Sequence, residues 1–127
     1  MLIDSNIIII ASKLTNIGVL NYLKKREKAL CASIVSKIEV LGYHQLKQVE
    51  KEFLNNFFNA IPILQLDAVV AEKAIELRQR KPLSLADSIL AATALVNNLP
   101  LFTDNIKDYA GIKGLKLISV DDALSSS

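Results

Sequence analysis

Lys81-Pro82-Leu83-Ser84-Leu85-Ala86-Asp87-Ser88-Ile89-Leu90-Ala91-Ala92-Thr93-Ala94-Leu95-Val96-Asn97-Asn98 is the stretch from which the rest of the chain is read. Pro82 cannot continue a preceding helix, so a new element begins after it. Ser84 is a good N-cap, and Asp87 follows three residues later in a serine–acid capping pattern. From Ile89 to Val96 nearly every side chain is small or apolar. A helix apolar on almost every face belongs inside a protein rather than on its surface. One carboxylate, Asp87, therefore stands at the mouth of a buried helix. Capping and dipole compensation would account for it if it stood alone.

Working outward, the same punctuation recurs. Met1-Leu2-Ile3 is a short apolar run stopped by Asp4-Ser5-Asn6, and Ile7 to Ala11 is apolar again. This reads as a buried strand, a carboxylate at its C-terminal end and a turn into further buried structure. Ile17, Leu20 and Leu23 recur at helical spacing, and Lys24-Lys25-Arg26 suits a helix C-terminus. Ala29 to Ala32 fits a second strand. Ser33 or Ser36 then opens a helix through Ile38 and Leu41, with Ser36 and Glu39 in a capping-box pattern. Val49 to Asn59 sets Phe53, Leu54, Phe57 and Phe58 against a polar face, an amphipathic helix whose aromatic stripe reads as core or as a dimer surface. Ile63 to Leu66 reads as a third strand, and Asp67 caps a helix ending in Arg78-Gln79-Arg80-Lys81. Leu101-Phe102-Thr103 is a fourth strand, stopped by Asp104-Asn105. Ile106 to Tyr109 is a helical turn, and Leu115 to Ile118 is a fifth strand.

With 127 residues, 51% of them hydrophobic, the chain is read as one domain over 1–127 with a sizeable core, its polar tail at 121–127 expected to fray. A net charge of +2 permits nucleic-acid binding without arguing for it. Cys31 is the only cysteine, which excludes an internal disulfide and a cysteine-based zinc site. His44, the only histidine, lies in a polar stretch and reads as exposed. No apolar run reaches the length of a bilayer span and no leader pattern is evident, so a soluble, cytoplasmic protein is expected, with no membrane partner.

Short apolar strands alternating with helices imply a parallel sheet covered by helices on both faces. Ligands in such sheets collect beyond the C-terminal ends of the strands. Asp4 follows the first strand, Asp104 and Asn105 follow the fourth, and Glu39 and Asp87 lie near the starts of helices. All are thus predicted on one edge. Capping explains each acid separately but not this convergence. Clustered carboxylates repel unless a cation neutralises them, and oxygen ligands without histidine or cysteine select Mg²⁺ or Mn²⁺. The chemistry this favours is metal-assisted hydrolysis of a phosphodiester.

The residues resemble those of PIN domains, in particular the VapC-like toxins of bacterial toxin–antitoxin pairs. Leu2-Ile3-Asp4-Ser5-Asn6 resembles the family's opening strand and first acid, with Ser5 where threonine is usual. Ser36 to Gly42 resembles the segment with the second acid, Glu39. Leu85 to Ala94 carries the third, Asp87, and is the most specific match. Leu101 to Tyr109 resembles the terminal motif, in which a fourth polar or acidic group follows the threonine. The resemblance implies a three-layer α/β/α sandwich with a five-stranded parallel sheet in the order 3-2-1-4-5. It also implies a Mg²⁺- or Mn²⁺-dependent endoribonuclease acting on RNA, dimeric, and restrained by a cognate antitoxin. Asp4, Glu39 and Asp87 carry over as metal-coordinating catalytic acids. The fourth place is assigned to Asp104, with Asn105, the residue two positions after Thr103, as a polar helper. Thr103 and Asn6 are supporting residues. Lys107, Arg78 and Arg80 are candidates for contact with the RNA backbone, against the simpler reading of solvated helix ends.

Two other readings remain at this point. One is a non-catalytic PIN-like interaction or dimerisation module whose acids serve only as caps. The other is a phosphoacceptor receiver-like domain, which would need a pair of acids at the end of the first strand, where this sequence has one.

Overall fold

A computed structural model describes residues 1–13 and 16–125. Five two-residue strands alternate with helices, and every recorded strand pairing is parallel. The strands are β1 (Leu2–Ile3), β2 (Ala32–Ser33), β3 (Ile63–Leu64), β4 (Leu101–Phe102) and β5 (Leu117–Ile118). The helices are α1 (Ser5–Ser12), α2 (Ile17–Lys25), α3 (Ile34–Leu41), α4 (Gln48–Ala60), α5 (Ala68–Arg80), α6 (Leu85–Val96), α7 (Ile106–Tyr109) and α8 (Val120–Ser125). The expected α/β class is what forms. The sheet is seen in two pieces, β1-β4-β5 and β2-β3, joined by a single bridge between Leu2 and Cys31. That bridge sets β2 beside β1.

The core divides across the sheet. Ile3, Ile7, Ile8, Val19, Leu54, Phe58 and Phe102 pack on one side. Leu2, Leu77, Leu90, Ala91, Leu101 and Tyr109 pack on the other. Alternation along β1 and β4 directs successive side chains to opposite faces, so each strand feeds both cores. The all-apolar reading of α6 holds: Ser88 to Ala94 is buried without interruption. Burial pushes the Cys31 thiol up, consistent with a small core side chain.

Two local differences from expectation, at the start of α3 and at the C-terminus, have clear causes. Ser33, not Ser36, caps α3, its hydroxyl accepting from Val35 N at 3.1 Å. Ser36 lies inside the helix, fully buried, so Ser36 and Glu39 are not a capping box. Gly42 ends that helix where the chain passes so close to the Ile38 carbonyl that a Cβ would sit 2.5 Å from it. The segment from Val120 to Ser125, expected to fray, is helical, while Ser126 and Ser127 lie outside the described residues. Ser119 and Asp122 exchange side-chain-to-backbone hydrogen bonds at 3.0 and 3.2 Å, a reciprocal cap, and Ala123 is buried. Leu124 rests on Gly18 of α2, where a Cβ would sit 2.6 Å from its Cδ2 and a larger residue would displace it.

No single helix among the described residues is long and apolar enough to cross a membrane. Leu90 is 1% exposed at the centre of α6. Leu90→Ala is expected to destabilise the fold by about 3 kcal/mol, read as a lowered urea midpoint with unchanged slope.

Candidate active site

The site begins where β1 ends. Asp4 N donates to Phe102 O at 2.9 Å and Thr103 N donates to Ile118 O at 3.0 Å. The ladder therefore holds Asp4 and Thr103 side by side just beyond the sheet's C-terminal edge. Asp4 has extended backbone and caps α1, with Oδ1 accepting from Ser5 N at 2.7 Å. Its other oxygen, Oδ2, accepts from Thr103 Oγ1 at 2.7 Å and lies 3.1 Å from the Tyr109 hydroxyl. Only 5% of Asp4 is exposed. Burial pushes its carboxyl above the usual range; the bonds from Thr103, Tyr109 and Ser5 oppose this, and the nearby charge of Asp87 adds to it.

Asp87 is brought to Asp4 by a route that the sequence did not disclose. Ser84 caps α6 by accepting from Asp87 N at 3.1 Å, which places Asp87 in the first turn. Its Oδ1 lies 3.0 Å from the same Tyr109 hydroxyl that contacts Asp4. Tyr109 ends α7 with its ring buried and its oxygen between the two carboxylates. Burial and the two flanking charges push its phenol far up, so it stays a neutral hydroxyl. The sequence signal was slight: an aromatic residue with a polar tip on the short turn after Asp104-Asn105.

Glu39 lies on α3 and is exposed, with Oε1 accepting from Ser5 Oγ at 2.9 Å. Ser5, the residue where the family motif usually has threonine, thus ties Glu39 to the position next to Asp4. Asn6 Oδ1 accepts from Asp104 N at 3.3 Å, and Thr103 Oγ1 accepts from Asn105 N at 3.0 Å. Asp104 and Asn105 are held by their backbones, and both side chains are exposed. Lys107 shares a surface concavity with Asp87, Ser84 and Lys81. Arg78, exposed at the end of α5, donates Nε to Leu83 O at 3.2 Å, bracing the α5–α6 connection. Arg80 pairs with Glu76 at 3.3 Å.

A family model of the PIN domain matches residues 1–115. The chain belongs to the PIN domain family. It is 26% identical over 132 residues to the Ribonuclease VapC of Rickettsia bellii (strain RML369-C), covering 94% of this chain and 96% of that one. Among solved structures it is similar to a toxin–antitoxin complex from Klebsiella pneumoniae, with TM-score 0.72, 28% identity, and 92% and 94% of the two chains covered. Its fold also matches that of VapBC2 from Rickettsia felis bound to a promoter DNA fragment, with TM-score 0.81, 22% identity, and 93% and 96% covered.

The donors at this PIN-domain edge are all oxygen, which suits a hard divalent cation. The side-chain positions set a limit on the ligand set. Among the described residues no three acids stand together as a ready-made metal cluster. Asp4 and Asp87 form the close pair, and Glu39 stands one serine away. That arrangement fits Mg²⁺ or Mn²⁺, which is commonly held by one or two carboxylates with water and substrate phosphate completing the shell. The hydrogen bonding carries an independent indication. Tyr109 has one proton to give and two carboxylates to give it to. With both acids ionised, one close oxygen pair lacks a proton between its members.

Because burial raises the Asp4 carboxyl above its ordinary value of 3.8, its ionised form is less favoured in the fold than in the unfolded chain. Its contribution to stability is therefore retained below 3.8 and lost as pH rises through the folded value. Asp4→Asn removes that loss and lets an amide N–H face Tyr109. In EDTA at pH 7 the variant is expected to denature at a higher urea concentration than the parent, with the gap closing as pH falls towards 4. Urea melts across that pH range check it.

Proposed function

We propose that this PIN domain is a metal-dependent endoribonuclease that hydrolyses RNA phosphodiester bonds in the cytoplasm, as the toxin of a toxin–antitoxin pair. The observation that carries this reading is the pairing of Asp4 and Asp87 through one hydroxyl at the sheet's C-terminal edge. A relative along nearly the full chain that bears the name Ribonuclease VapC supports the choice of RNA.

Asp4 and Asp87 would hold Mg²⁺ or Mn²⁺, with Glu39 helping from α3. A divalent ion at such a site supplies activation of water and stabilisation of charge on the phosphate oxygens. The chain's own residues then have separable tasks. Thr103 fixes the rotation of Asp4. Ser5 holds the Glu39 carboxylate beside the start of α1, next to Asp4. Asn6 secures the backbone at Asp104, which places Asp104 and Asn105 at the rim. Lys107, beside Asp87, offers a cation to an RNA backbone phosphate; Arg80 lies further along the same flank, beyond Lys81.

An antitoxin is the proposed protein partner. A groove of about 420 Å³ lined by Leu20, Leu23, Phe53, Phe57, Ala60 and Ile61 provides the apolar surface that an antitoxin segment requires. A homodimer is proposed through Val69 and Ile75 of α5 and Val96 of α6, which are exposed around one hollow.

The deciding experiment is cleavage of a mixed RNA by purified protein with Mn²⁺, with EDTA, and with Asp87→Asn. Metal-dependent cleavage that falls by more than about 100-fold in the variant is expected. Equal cleavage by both proteins would remove the mechanism. No cleavage together with no Mn²⁺ binding would support the interaction-module reading. Lys107→Ala is expected to weaken RNA binding across sequences and to reduce the slope of log affinity against log salt by about one, measured by fluorescence anisotropy.

A further inference from the structure

Asp4 and Asp87 are restrained very unequally. Asp4 has Ser5 N on one oxygen and Thr103 Oγ1 on the other, besides the contact to Tyr109. Among the described residues, the Asp87 carboxylate has one side-chain hydrogen-bond partner, the Tyr109 hydroxyl at 3.0 Å. Its capping bond to Ser84 involves its backbone N–H, not its carboxylate. Removing the hydroxyl would leave Asp4 where it is and free Asp87 to turn towards solvent.

Tyr109 is suited to orient a neighbour. It is 1% exposed and packs within the core that contains Leu2, Leu90, Ala91 and Leu101. A ring locked on all sides cannot swing its oxygen away, so the hydroxyl is a fixed point rather than a mobile donor. A phenol also has one proton and two lone pairs, so it can donate to one carboxylate and remain beside the other. When a cation draws the second carboxylate, the phenol keeps its bond to the first.

We propose that Tyr109 is a positioning residue for the metal centre: its hydroxyl sets the direction of the Asp87 carboxylate relative to Asp4 before a divalent cation enters, and stays bonded to Asp87 afterwards. This rests on the reading of Asp4 and Asp87 as the cation's ligands. It extends that reading to a residue that is neither an acid nor a ligand, supplied by the short helix α7. The affinity of the site for metal is thereby linked to the packing of α7 against α6. Any change that shifts α7 is communicated to Asp87 through one oxygen atom.

The test is Tyr109→Phe, which removes that oxygen and keeps the ring that fills the core. Mn²⁺ binding is measured by titration calorimetry and by the electron paramagnetic resonance signal of free Mn²⁺. The dissociation constant is expected to rise about tenfold at unchanged stoichiometry, as the loss of a hydrogen bond to a charged group implies. The Mn²⁺ concentration for half-maximal RNA cleavage should rise by the same factor, while KM for RNA at saturating Mn²⁺ stays put. Tyr22→Phe serves as the control. Tyr22 is another buried tyrosine, packed on Phe102, and its hydroxyl faces the Met1 sulfur rather than a carboxylate. Its variant should bind Mn²⁺ like the parent.

If Tyr109→Phe binds Mn²⁺ as tightly as the parent or more tightly, the positioning role is overturned and the metal reading stands. If the parent itself binds no Mn²⁺, both fall. A crystal structure of the parent with Mn²⁺ gives a check that does not depend on the variant's folding. The Tyr109 hydroxyl is expected within hydrogen-bond distance of an Asp87 oxygen, and its separation from Asp87 would overturn the proposal.

Discussion

A carboxylate buried at the end of the central strand is the constraint on which the rest of this structure turns. A buried charge must be met by hydrogen-bond donors or it neutralises. Asp4 is met by Ser5 N, which opens α1, by Thr103, which follows β4, and by the hydroxyl of Tyr109, which closes α7 and is shared with Asp87. One side chain therefore ties together elements separated by about a hundred positions in sequence. The same residue is the N-cap that lets a run of four isoleucines start as a helix directly after a two-residue strand. Local capping, sheet register and the site share one group.

The order of strands and helices was legible because apolar runs and their polar stops are strong signals. Pro82, Ser84 and the small-residue run after Asp87 led to α6 within a residue of its observed start, and Asp67 caps α5 as read. Placement of the acids on one edge followed from β–α order alone. Asp4, Thr103 and Asp87 do meet there, and Glu39 reaches them through Ser5. What the pattern did not carry was anything decided by packing between distant segments. The strands are only two residues long, so the way the sheet divides depends on a single bridge that no periodicity encodes. Ser33 and Ser36 offered equivalent caps, and the choice between them fell to β2, which ends at Ser33. The C-terminal residues looked polar and loose, but Leu124 finds Gly18, a contact visible only once α2 is in place. The contact of Tyr109 with both acids escaped notice because the partners of its hydroxyl lie 22 and 105 residues away.

The same contacts argue about what the site lacks. The ion pairs among the described residues are Lys13 with Glu50, Lys73 with Glu76 and Arg80 with Glu76, all away from Asp4 and Asp87. The site's acids are held by a threonine, a tyrosine, a serine and a backbone amide instead. Such neutral donors orient carboxylates without cancelling their charge. A lysine or arginine in the same position would stabilise the metal-free fold and occupy the place where a cation would be drawn. Hydroxyls leave the negative potential in place and keep the oxygens pointed inward, so a divalent ion would be the largest local charge and would relieve both the repulsion and the missing proton. Asp4 is costly to the fold as a buried, ionised group for the reason that would make it useful as the proposed metal ligand: its charge is desolvated, oriented by neutral donors and paired with no cation among the described residues.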